Sequence, residues 1–129
     1  MTAKTAALII GLLFLAVGIL GYVDNPIIGD SEGVIFHADD RHNMVHIISG
    51  ALFVLASLVS DAVARSFMIV FGLVYLTIGI LGMLNTGADG MTELLGFLHV
   101  NSADNYLHIG LGVVILLAAL ASRRKVVVA

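Results

Sequence analysis

The chain contains no cysteine, a single proline, and charged residues at only 12% of its 129 positions. Without cysteine there are no disulfides, zinc–thiolate sites, iron–sulfur clusters, covalent c-type haem or thiol nucleophile. Charge is about half the roughly 25% usual in a soluble domain, which excludes an ordinary solvated surface. A basic surface is missing too. Six Lys and Arg stand against nine Asp and Glu, a net charge of −3, so nucleic acid is excluded as a partner. What is present is apolar: 60% hydrophobic residues and a mean hydropathy of +1.08. Composition therefore specifies an integral membrane protein whose surroundings are the lipid bilayer. The length specifies one domain, residues 1–129.

The few charges divide the chain into four apolar stretches. Nineteen uncharged residues separate Lys4 from Asp24, and 23 separate Arg65 from Asp89. Roughly 20 such residues in a helix cross a hydrocarbon core of about 30 Å. Two further stretches, Asn43 to Ser60 and Asn105 to Ser122, have 18 residues each without Asp, Glu, Lys or Arg. Each carries a histidine in its first turn, His46 or His108. The first stretch is expected as a true span and not a cleaved signal peptide, because no small-x-small site follows it at residues 21–24. Lys4, Arg65, Arg123, Arg124 and Lys125 all fall on one side of a four-span topology, and only Arg41 on the other. The positive-inside rule then expects cytoplasmic N- and C-termini.

The chain also repeats itself. Residues 11–24 match 72–85 with seven of fourteen identical, and 37–58 match 99–120 with eight of twenty-two identical. Each repeat (about 5–62 and 66–123) is one helical hairpin of two spans. Both hairpins must share one orientation, because an even number of spans returns the chain to its starting side. The expected fold is all-α: four transmembrane helices as two tandem hairpins, related by a pseudo-two-fold along the membrane normal. Gly11, Gly18 and Gly21 recur as Gly72, Gly79 and Gly82, where small residues let helix backbones approach closely.

The connections 25–42 and 86–104 exceed the roughly 2–8 residues usual between packed helices. In the second, residues 92–98 read as a short interfacial helix with an apolar face. Asn25-Pro26 in the first marks a turn.

Each even span opens Asn-x-x-His-Ile-x-x-Gly, as Asn43, His46, Ile47 and Gly50 and again as Asn105, His108, Ile109 and Gly112. His37 and His99 precede the asparagines by six residues, and His42 and Asp104 precede them directly. One reading is structural: Asn43 and Asn105 are helix N-caps, and each histidine reaches back to the cap. The other is functional. His46, His108, His37 and His99 offer four nitrogen ligands, which without thiolates suits zinc, copper, nickel or iron. Gly50 and Gly112 could instead clear space beside a haem held between His46 and His108. A pocket for a small polar molecule or lipid head group is a third possibility. Ionisable residues at membrane depth are functional candidates by default.

This pattern resembles a bacterial family of small four-span membrane proteins classed as a domain of unknown function. The resemblance covers about residues 6–122 and is carried by the Asn-x-x-His-x-x-x-Gly leads at Asn43 and Asn105. It implies a protein of the bacterial cytoplasmic membrane and supplies no activity. An enzyme is the weakest class, because no nucleophile with a defined partner is marked; Ser49 becomes Leu111 in the second repeat. Two readings stand. The first is an accessory or assembly subunit, with a membrane-protein partner or a second copy and with the Asn/His pairs as internal fasteners. The alternative is an outer-face redox module that binds a transition metal ion or haem.

Overall fold

The computed structural model describes residues 1–123, so Arg124 and Lys125 lie outside the described residues. The order of elements is α1 (Ala3–Leu20), β1 (Ile28–Gly29), β2 (Phe36–His37), α2 (Asp40–Val59), α3 (Asp61–Leu84), β3 (Met91–Leu94), β4 (Leu98–Asn101) and α4 (Ser102–Ala121). The helices have 18, 20, 24 and 20 residues. At 1.5 Å per residue they run roughly 27–36 Å, enough to cross a bilayer. Their outward faces are apolar, with Leu13, Leu55, Leu58, Leu117 and Leu120 all exposed. Such surface is stable only against lipid. The protein is a multi-pass membrane protein.

Helix α1 packs along α2 and α3 along α4, which makes two tandem hairpins. Glycine sets how closely the partners lie. A Cβ on Gly50 would stand 2.8 Å from the Gly11 carbonyl oxygen, and one on Gly112 would stand 2.8 Å from that of Gly72. These helices therefore touch backbone to backbone, as lipid-embedded helices do when small residues permit it. Farther along, Gly18 faces the Asn43 carbonyl and Gly79 faces the Asn105 carbonyl. Gly21 and Gly82 leave room for the Asn43 and Asn105 side chains themselves. The two hairpins thus repeat each other's contacts residue for residue.

The hairpins meet through Phe14 of α1 and Tyr75 of α3, equivalent residues of the two repeats, with ring centroids 5.2 Å apart. Buried Ala3, Ala6, Ala7, Ala64, Met68 and Ala119 continue this core toward the chain ends. That end is stitched by polar contacts. The Asp61 carboxylate accepts the Lys4 N–H at 3.0 Å, placing an acid against the positive ends of α1 and α3. The Arg65 guanidinium donates to the Leu120 carbonyl at 2.9 Å, and the Arg123 N–H to the Met1 carbonyl at 3.0 Å. Ser60 alone separates α2 from α3. Its extended backbone ends the first helix, and its hydroxyl accepts the Val63 N–H of the second at 3.1 Å.

Two expectations are corrected at the other end. Asn43 and Asn105 are not N-caps. The caps are Asp39, which accepts the His42 N–H at 3.0 Å, and Asn101, which accepts the Asp104 N–H at 3.0 Å. A cap must stand where the backbone is still extended, and ahead of α2 and α4 the last extended residues are Asp39 and Asn101. Asn43 and Asn105 fall one turn inside the helices. The second correction concerns residues 92–98, which form no helix. Strands β3 and β4 pair antiparallel, with Met91 opposite Asn101 and Leu94 opposite Leu98. Leu95 and Gly96 both have positive φ, 55° and 65°, and the Phe97 N–H returns to the Leu94 carbonyl at 2.9 Å. Two successive left-handed residues make a hairpin turn and cannot continue a right-handed helix. Thr92 and Leu94 point inward while Glu93 and Leu95 point out, the alternation of a strand.

Candidate metal centre

His42 and His46 are four residues apart on α2 and therefore share one face of the helix. His108 comes from the equivalent turn of α4. All three are buried, at 1%, 4% and 3% exposure. The His42 ring lies 4.5 Å from that of His46 and 5.7 Å from that of His108, centroid to centroid. One ring nitrogen from each lies within 4.8 Å of the other two. Phe14 stands edge-on to His46 at 5.8 Å, and Tyr75 edge-on to His108 at 5.6 Å. The site therefore sits where the two repeats meet and is walled by their equivalent aromatic rings.

The hydrogen bonds of these rings are uneven. Nδ1 of His42 is 3.0 Å from the His37 carbonyl oxygen. A carbonyl can only accept, so Nδ1 carries the proton and Nε2 keeps a free lone pair. This is the usual outer contact of a ligating histidine, which fixes its tautomer and aims the other nitrogen. Strand β2 holds that carbonyl in place, because the Phe36 and Ala38 N–H groups bond to the Ile27 and Gly29 carbonyls at 2.8 Å each. Nδ1 of His46, Nδ1 of His108 and the Tyr75 hydroxyl are buried without a hydrogen-bond partner among the described residues. A cavity of about 130 Å³ lies between α2 and α3, bounded by the three histidines, Ser49 and Tyr75, with Leu98 of β4 also lining it.

The sequence-based ligand set is brought together only in part. His46 and His108 meet as expected. His37 contributes its backbone carbonyl, and its side chain is not in the cluster. His99 is exposed on β4, because its neighbour Val100 takes the inward position and strand side chains alternate. Gly50 and Gly112 serve the packing of the hairpins. Their open faces are filled by the backbones of α1 and α3, which leaves no slot beside a flat ring. The 130 Å³ cavity is also well below the roughly 300–1,000 Å³ of pockets that hold organic cofactors. The space is of the size of an ion with a few small ligands. His42 is the ligand that the repeat argument passed over, because its equivalent in the second repeat is Asp104. Its signal was present in the i, i+4 spacing to His46, which places two imidazoles side by side on a helix.

Of the two asparagines, Asn105 fastens its hairpin by hydrogen bonds. Asn105 donates to the Thr92 hydroxyl at 3.3 Å and the Thr86 hydroxyl at 3.4 Å, tying α4 to β3 and to the segment that follows α3. Asn43 lies against Gly21 in the matching position.

Fold and site together define a four-span membrane protein with a buried three-histidine cluster able to coordinate a metal ion. Residues 4–121 match the family described as Domain of unknown function (DUF4383), and the chain belongs to that family. Neither a curated protein nor a solved structure gives a match.

Proposed function

We propose that this protein is a metal-binding module of the bacterial cytoplasmic membrane. It holds one transition-metal ion through His42, His46 and His108 at the extracytoplasmic end of its bundle. The observation that carries this reading is the convergence of three buried imidazoles, with the His42 tautomer set by the His37 carbonyl. Three nitrogen donors and no thiolate suit copper, zinc, nickel or iron. Around one such ion at about 2.0–2.1 Å, ligand nitrogens stand roughly 3.4 Å apart. Three rings already within 4.8 Å need to draw in by on the order of an ångström. The placement on the outer side rests on Lys4, Arg65 and Arg123, which gather at the opposite end, as cytoplasmic residues do.

The reading as an accessory subunit with Asn/His fasteners has less support. A fastener forms hydrogen bonds, and the Nδ1 atoms of His46 and His108 have none among the described residues. An unpaired polar atom inside a lipid-embedded bundle is costly, and ligation of an ion would relieve it. The test is elemental analysis of the detergent-purified protein after exposure to zinc, copper and nickel salts. We expect about one ion per chain, no haem absorption band, and loss of the ion in His46→Ala and His108→Ala. A wild-type protein that retains none of these ions would overturn the reading.

A further inference from the structure

We propose that the site is an open one, with a fourth coordination position that takes a small anion or hydroxide, and that the Tyr75 hydroxyl donates a hydrogen bond to that ligand. This rests on the metal-binding reading above. Structural metal sites of this chemistry are closed by four protein ligands, whereas sites that bind an exogenous molecule keep three and leave one position free. Among the described residues, the cluster of His, Asp and Glu side chains that could hold an ion contains three members.

The second observation is Tyr75 itself. It is 4% exposed, and its hydroxyl, beside that of Ser49, makes no hydrogen bond of good geometry among the described residues. Burying a phenol hydroxyl unpaired costs free energy that a phenylalanine would avoid. Packing does not require the hydroxyl. Phe14 holds the equivalent position in the first repeat and makes the same edge-on contact with His46 that Tyr75 makes with His108. The two rings differ in where they face. Tyr75 lines the 130 Å³ cavity with all three histidines, and Phe14 lines a cavity of about 170 Å³ between α1 and α4 that only His46 of the three borders. The polar group is therefore present only on the side where all three histidines face the space. A water molecule takes about 30 Å³ of liquid volume, so the space admits a triatomic anion or a few waters beside an ion. Ser49, buried on the same wall, adds a second hydroxyl.

The experiment uses full-length protein loaded with copper(II) and titrated with azide, followed by the charge-transfer absorbance of the copper–azide bond. Wild type is expected to bind azide at one equivalent per copper. Tyr75→Phe should keep its full copper stoichiometry and bind azide about tenfold or more weakly, the loss expected when a hydrogen bond to a charged acceptor is removed. In the metal-free state Tyr75→Phe should melt at the same temperature as wild type or higher, because an unpaired buried hydroxyl has been removed. Equal azide affinity in the two proteins would overturn the role of Tyr75. Loss of copper from Tyr75→Phe would also overturn it, by making the tyrosine a ligand. Copper-loaded wild type that binds no azide would overturn the open site while leaving the metal site intact. Failure of wild type to bind copper or any related ion is a different result and removes the underlying reading itself.

Discussion

His42 and Asp104 hold the same position in the two repeats, 62 residues apart, and take different partners. Both are 1% exposed. The His42 ring bonds to the His37 carbonyl and joins His46 and His108. The Asp104 carboxylate folds back and accepts the N–H of its own cap, Asn101, at 2.9 Å. One hairpin thus presents two imidazoles and the other presents one, so an even backbone symmetry carries an uneven set of donors. Asp104 closes a capping box, a task that Asn performs with the same side-chain oxygen. Asp104→Asn should therefore leave metal stoichiometry unchanged, as measured by elemental analysis.

The caps themselves should differ in weight. Asp39→Ala removes one side-chain acceptor and is expected to cost about 0.5–2 kcal/mol, the usual range for a lost N-cap. Asn101→Ala removes more. It takes away the acceptor for the Asp104 N–H and the donor to the Ile35 carbonyl, a bond of 3.0 Å that ties the two outer loops together. Thermal melts of both variants in one detergent should show the larger drop for Asn101→Ala. An equal drop would mean that the bond between the loops contributes nothing.

The spans, the tandem hairpins and the packing role of glycine could all be read from sequence, because each rests on a long-range regularity. Nineteen uncharged residues between Lys4 and Asp24 have few structural options. Seven-residue glycine spacing repeated at a distance of 61 has only one economical explanation. The errors came where a few residues decide. Asn43 and Asn105 resemble caps because an Asn before an apolar run looks like a helix start. The actual starts depend on where β2 and β4 release the chain, which is tertiary information. Residues 92–98 contain apolar residues compatible with either a helix or a strand. The left-handed Leu95, unusual for a branched apolar residue, could not be foreseen from its type. His42 was missed for the opposite reason. Its repeat equivalent is Asp104, so symmetry between repeats hides the i, i+4 spacing to His46 within one helix.

Gly110 and Gly112 make a paired test of the packing argument. A Cβ on Gly112 would meet the Leu76 backbone and would stand 2.8 Å from the Gly72 carbonyl oxygen, and neither atom can yield without moving a helix. Gly112→Ala should destabilise by roughly 1–3 kcal/mol, the range for overpacking. A Cβ on Gly110 would meet nothing within 4 Å. Gly110→Ala should be neutral or stabilising by up to about 1 kcal/mol, since alanine is the better helix former. Similar melting temperatures for the two variants would sink the backbone-contact account.

Leu95 offers a stabilising change. It is 88% exposed at φ 55°, beside Gly96 at φ 65°, in the turn of the β3–β4 hairpin. A left-handed backbone costs an ordinary residue roughly 1–2 kcal/mol, and asparagine tolerates it far better. Leu95→Asn converts the turn to the Asn-Gly pair that this hairpin geometry prefers. We expect slower amide exchange across β3 and β4 and an unchanged or higher melting temperature. Faster exchange would show that the leucine side chain anchors the turn in a way that outweighs its backbone strain.

The five histidines divide into those whose rings matter and those whose rings do not. A bound ion stabilises the folded state by mass action, about 2.7 kcal/mol when free metal is at 100 times its dissociation constant. Wild type should therefore melt higher as zinc or copper is added. His42→Ala should abolish that shift, because two remaining imidazoles hold the ion poorly and the His37 carbonyl loses the donor it aims. His37→Ala keeps the carbonyl and changes only a half-buried ring outside the cluster, so its metal-dependent shift should match wild type. His99→Ala alters an exposed strand residue and should also behave as wild type. The decisive pattern is loss at His42 with retention at His37 and His99. The reverse pattern would place the ligands in the loops, as the repeat alone suggests, and would refute the assignment of His42 to the metal.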